Sequence, residues 1–120
     1  ISSRVNILVV LSISKFNFIS LMNSAIASQN TEIILYYGEG CPHCEKVDEF
    51  IATNNIKDKI QFSSKEVFLN QANAQELGTK AKICGIDSGS VGVPFLWDGS
   101  KCIIGDEDII NFFKTKAGIQ

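Results

Sequence analysis

Apolar and polar positions change their period along the chain, and each change marks an element. Residues 32–37 (EIILYY) form a short apolar, β-branched and aromatic run closed by Gly38, the pattern of a buried strand. From Pro42 onward apolar side chains fall at Val47, Phe50 and Ile51, the i, i+3, i+4 spacing of one helix face. Pro42 suits a first helical turn, where its missing N–H costs nothing. After the Asn54-Asn55 break, residues 59–67 (KIQFSSKEV) predict a second strand. Ala74, Leu77, Ala81 and Cys84 again repeat at helical spacing, with Gly85 as a stop. A polar loop at 87–92 (DSGSVG) leads to Val93-Pro94-Phe95-Leu96-Trp97, then Asp98-Gly99, then Lys101-Cys102-Ile103-Ile104. Asp-Gly between two apolar runs predicts a hairpin. The last helix is expected to be capped by Asp106, to have an acidic first turn, to bury Ile109, Phe112 and Phe113, and to end in Lys114, Lys116 and Gly118. The predicted order is β-α-β-α-β-β-α, an α/β fold.

The N-terminal region follows a different rule. Residues 1–27 contain Arg4 and Lys15 but no acid, and the first carboxylate is Glu32. Apolar stretches at 7–13 and 16–22 lead to Ala25-Ile26-Ala27, a small-x-small pattern that a signal peptidase can cut before Ser28. Residues 1–27 are therefore expected to be a signal peptide or N-terminal membrane anchor, and 28–120 the folded domain. Lys15 inside the apolar part would cost about 2.5–3.5 kcal/mol on insertion, which favours the cleaved signal over a stable span. The expected location is extracytoplasmic, in the periplasm or cell envelope. A chain of 120 residues with 45% hydrophobic composition builds one core. Its 11 basic against 13 acidic residues, net charge -2, give no basic face for a nucleic acid.

Chemistry concentrates in Cys41-Pro42-His43-Cys44, two cysteines around the chain's only histidine. A strand running into Cys-x-x-Cys at a helix start makes a thiol reactive, because orphan N–H groups and the helix dipole stabilise a thiolate at Cys41. A protonated His43 adds positive charge in the same turn. Stabilising the thiolate stabilises the reduced form and makes the disulfide a stronger oxidant. The residues alone also admit a structural disulfide, or a zinc or iron-sulfur site completed by Cys84 and Cys102. Cys84 and Cys102 lie in apolar segments, as core thiols or as a bridge from the second helix to the hairpin.

The element order, the CPHC pair after the first strand and Val93-Pro94 ahead of the hairpin resemble the thioredoxin-fold superfamily over residues 32–118. The size is that of a glutaredoxin, and the Pro-His dipeptide is similar to that of the bacterial periplasmic disulfide-forming oxidases. This resemblance implies a thioredoxin-like, four-stranded mixed sheet flanked by three helices. It also implies a thiol-disulfide oxidoreductase acting through a mixed disulfide, in the oxidising direction. Cys41 would be the exposed nucleophile, Cys44 the resolving thiol, Pro42 and His43 the tuning residues, and Pro94 a cis-proline beside the site. The backbone of Val93 would pair with a substrate chain as an added strand. Gly105 and Asp106 resemble the glutaredoxin stretch that holds a glutathione carboxylate, and Tyr37 joins them as a substrate-binding candidate. The implied partners are protein thiols or disulfides and a membrane redox partner, with the chain a monomer and no cofactor or metal. A glutaredoxin-like, glutathione-dependent reductase is the alternative. Three departures qualify it: Gly38 replaces the lysine that helps glutaredoxins bind glutathione, Leu35 replaces a buried acid that assists the second thiol, and no large helical insertion is present.

Overall fold

A computed structural model describes Glu32–Gln120. The expected signal or anchor, residues 1–27, lies outside the described residues. Strand β1 (Ile34–Tyr37) is followed by helices α1 (Pro42–Thr53) and α2 (Ile56–Lys59) and strand β2 (Ser63–Glu66). Helix α3 (Gln71–Ile83), strands β3 (Phe95–Trp97) and β4 (Cys102–Ile104) and helix α4 (Asp106–Ala117) complete the order. The fold is mixed α/β. Its four strands form one mixed sheet, ordered β2-β1-β3-β4, with β1 parallel to β2 and antiparallel to β3, and β3 antiparallel to β4.

The alternation of β1 decides the two faces. Ile33 and Leu35 join Val47, Ile51, Ile56, Ile60, Leu96, Ile109 and Phe113 in a core under α1, α2 and α4. Ile34 and Tyr36 point the other way, with Val67, Leu77, Ala81, Phe95 and Trp97, beneath α3. Each strand residue therefore belongs to one face only, as a period of two requires.

Two expectations change. Three helices were predicted and four are present among the described residues. Asn55 takes a left-handed conformation (φ 53°) that starts a new helical turn, and Ile56, fully buried, anchors it in the α1 core. The helix consumes Lys59, so β2 is Ser63–Glu66 and not the whole run 59–67. The second change concerns Asp106, which is the first residue of α4 and not its cap. Gly105 holds the cap position with φ 95°, open only to a residue without Cβ at little cost, and supplies no side-chain bond.

One polar network crosses the sheet. The fully buried Tyr36 hydroxyl donates to Glu76 Oε2 at 2.6 Å, and Lys65 Nζ reaches the same carboxylate at 2.8 Å. Burial pushes the Tyr36 phenol well above its ordinary range, and the Glu76 carboxylate adds to this. Burial would likewise raise Glu76, but hydrogen bonds from Lys65 and Tyr36 and the charges of Lys65 and Lys80 outweigh it and hold the acid below its ordinary value. A depressed acid contributes stability above its unfolded value and loses it as pH falls through the folded one. Tyr36→Phe is expected to cost about 1.5 kcal/mol at pH 7, the worth of a hydrogen bond to a charged group. The gap to wild type should narrow only as pH falls below the ordinary glutamate value of about 4.3 and through the lower folded one. Urea unfolding at pH 7 and pH 3 reads both, and an equal loss at the two values would show that Glu76 is not the cause.

Candidate functional site

The end of the sheet where β1 stops is built by three segments. β1 delivers the chain through Gly38-Glu39-Gly40 to Cys41, whose N–H donates to the Gly38 carbonyl at 3.2 Å. Cys41 then serves as the cap of α1, with extended backbone (φ -85°, ψ 113°), and its Sγ accepts the Cys44 N–H at 3.2 Å. Pro42 occupies the first turn as expected. The positive end of α1 thus points at the Cys41 sulfur, where it favours negative charge once that sulfur is reduced.

Cys41 and Cys44 form a disulfide, with Cα atoms 5.2 Å apart. Cys41 is the more accessible, at 9% exposed against 3% for Cys44. The second segment, Val93-Pro94, joined by a cis peptide bond, enters beside it. The Val93 carbonyl lies 3.8 Å from Cys41 Sγ, and among the described residues no backbone hydrogen bond engages the Val93 amide or carbonyl. Gly105 and Asp106 form the third segment. The Gly105 N–H donates to the Pro94 carbonyl at 3.1 Å, and Asp106 Oδ2 stands 2.9 Å from His43 Nδ1 and 3.7 Å from Lys46 Nζ. The His43 hydrogen bond, against a smaller opposing desolvation, holds the Asp106 carboxyl below its ordinary value, helped by the Glu107 amide and the His43 and Lys46 charges.

Eight of the sequence-derived candidates therefore converge: Cys41, Pro42, His43, Cys44, Val93, Pro94, Gly105 and Asp106. Tyr37 does not join them. It lines a separate cavity of about 550 Å³ with Glu39, Asp48, Ile51, Lys57 and Ser64.

A further part of the site escaped the sequence reading. Glu66, at the end of β2, accepts N–H bonds from Glu39 at 2.9 Å, Phe68 at 3.0 Å and Leu69 at 2.8 Å. Partial desolvation opposes ionisation there, yet the amides of Glu39, Leu69, Phe68 and Asn70 together bring the acid below its ordinary value. One carboxylate thus ties the loop before Cys41 to the loop after β2. It holds Phe68 (59% exposed) and Leu69 (84% exposed) out toward solvent beside the turn that leads into Cys41. The Phe68 ring covers Gly38 so closely that a Cβ there would run into it. The sequence signal was an apolar pair that fits neither the alternation of β2 nor the stripe of α3.

The remaining cysteines are paired elsewhere. Cys84, at the end of α3, and Cys102, at the start of β4, form a second disulfide with Cα atoms 6.2 Å apart. Cys102 is in register with Trp97, and Trp97 with Ile34, the first residue of β1. This bridge therefore sits at the opposite end of the sheet from Cys41, so the four thiols pair two by two and do not surround one point.

A scan against protein-family models and a search of curated proteins both found no match to this chain.

Proposed function

We propose that this chain is a thioredoxin-like thiol-disulfide oxidoreductase that acts outside the cytoplasm on protein thiols, in the oxidising direction. The observation that carries the reading is the Cys41–Cys44 disulfide at the α1 N-terminus, with the Val93 carbonyl 3.8 Å from Cys41. Attack on Cys41 Sγ releases Cys44, and the helix terminus lowers the free energy of the thiolate that forms in this turn. The unpaired backbone of Val93 suits a substrate strand laid beside Cys41. Cys84–Cys102, which no step of exchange uses, suits an oxidising compartment, as does the N-terminal sequence.

Two features favour a polypeptide substrate over glutathione. Phe68 fills the space over Gly38 where a side chain could reach an anionic tripeptide, and Asp106, the acid of the glutaredoxin-like stretch, already holds His43 and Lys46. The test is the redox equilibrium with glutathione at pH 7, together with oxidation of a reduced, unfolded protein. The expected potential is more oxidising than about -200 mV, the upper end of the glutaredoxin range. A potential near the thioredoxin value of about -270 mV would reverse the direction. Rapid turnover of glutathione mixed disulfides would favour the glutaredoxin-like reductase instead.

A further inference from the structure

The first turns of α1 and α4 are joined through side chains 63 positions apart, His43 Nδ1 to Asp106 Oδ2 at 2.9 Å. Asp106 is a carboxylate at neutral pH, and a carboxylate can only accept hydrogen bonds. The proton between the two atoms therefore sits on Nδ1. In a neutral imidazole one nitrogen carries the proton and the other a lone pair, and the partner of one fixes the role of the other. Nε2 has no partner among the described residues, and the side chain is 68% exposed. Lys46 from the same helix reaches the carboxylate at 3.7 Å, and Asp106 Oδ1 accepts the Glu107 N–H at 2.7 Å, so both oxygens are anchored. With Glu45 on α1 and Glu107 and Asp108 on α4, they complete the charged groups of the two facing turns.

We propose that Asp106 is a positioning residue: it holds His43 in the Nδ1–H form and leaves Nε2 to receive the proton of a thiol that attacks Cys41. The assignment rests on the redox reading given above and adds a proton acceptor to it. A substrate thiol transfers its proton to Nε2 as its sulfur bonds to Cys41 Sγ; the Cys41–Cys44 bond breaks, and its electron pair leaves on Cys44 as a thiolate. The imidazolium formed keeps its Nδ1–H on Asp106 and later returns the extra proton to water. A second thiol of the substrate then attacks the substrate sulfur, expels Cys41 as a thiolate and passes its own proton to Cys44. The substrate dithiol is oxidised by two electrons and the cysteine pair reduced by two. The logic is that of an acid orienting a histidine next to a nucleophile, with the nucleophile arriving on the substrate.

Because His43 is the chain's only histidine, its ring gives unambiguous nitrogen resonances. At about pH 9, above the imidazole range, ¹⁵N NMR of the oxidised full chain should show the Nδ1–H form in wild type and loss of that preference in Asp106→Asn. At pH 7, oxidation of dithiothreitol, followed by acid quench and alkylation, should slow about tenfold in Asp106→Asn, less than the roughly 10²–10⁴-fold that a general base itself supplies, because the ring remains. Asp106→Glu should recover most of the rate. In a His43→Ala background, Asp106→Asn should have no further effect, since the acid acts through the ring. A wild-type ring in the Nε2–H form, or a tautomer indifferent to Asp106→Asn, overturns the assignment. Equal slowing by Asp106→Asn with and without His43 overturns the route through the ring. The NMR result needs no turnover: a ring held as Nδ1–H beside a disulfide inert to dithiols refutes the redox reading while the positioning of His43 stands.

Discussion

Cys41→Ser is expected to abolish disulfide exchange, lowering the rate by a factor on the order of 10³ or more, as removal of an attacked or attacking group does in other covalent mechanisms. Cys44→Ser should behave differently. Its Cys41 thiol still sits at the α1 N-terminus beside Val93, but no second sulfur can release a partner, so mixed disulfides should accumulate. Non-reducing electrophoresis and intact mass after incubation with an oxidised protein separate the two variants. The asymmetry rests on 9% against 3% exposure and on the helix-terminal place of Cys41. Trapped complexes with Cys41→Ser and none with Cys44→Ser would exchange the roles of the two residues.

Removing the second bridge, as Cys84→Ala with Cys102→Ala, is expected to destabilise the domain by about 3 kcal/mol. That is the chain-entropy value for a loop of this size, and the bridged residues are 18 apart in sequence. Against a typical total of about 5–15 kcal/mol, this is a large fraction. The bridge ties α3 to the β4 edge over the core of Tyr36, Phe95 and Trp97, where Lys80 also stacks on Trp97 at 4.8 Å. Urea unfolding with Cys41–Cys44 intact measures the loss. Because the two bridges lie at opposite ends of the sheet, the redox equilibrium of Cys41–Cys44 should be unchanged in the double variant. A shift in that equilibrium would couple the two disulfides and remove the purely structural role of Cys84–Cys102.

The two predictions rest on parts of the chain that were unequally legible. The Cys-x-x-Cys turn was readable because its pattern is local: four consecutive residues, a strand before and a helix after, fix where Cys41 lies relative to the helix terminus. The stripes at Val47 and Ile51, at Leu77 and Ala81, and at Ile109 and Phe113 were readable for the same reason, since a helix buries the face its own spacing defines. Short-range pattern fails where one element ends under pressure from another. Polar β2 is a strand because β1 pairs with it, and residues 56–59 are helical because the α1 face needed Ile56.

By itself, then, the sequence determined the order of the four strands and the three longer helices and the place of the Cys41–Cys44 pair at a helix start, all consequences of periodicity and of neighbours within a few residues. Only the tertiary structure decided that Cys84 meets Cys102, that Val93 lies against Cys41, that Glu66 holds Phe68 and Leu69 beside the site, and that Asp106, instead of capping α4, pairs with His43 Nδ1. These contacts span from 2 to 63 positions, and the longest depend on how two helices and a hairpin converge at one end of the sheet. A capping acid and a ring-orienting acid look alike in sequence, because the same carboxylate can accept either proton and only the position of its neighbour selects one.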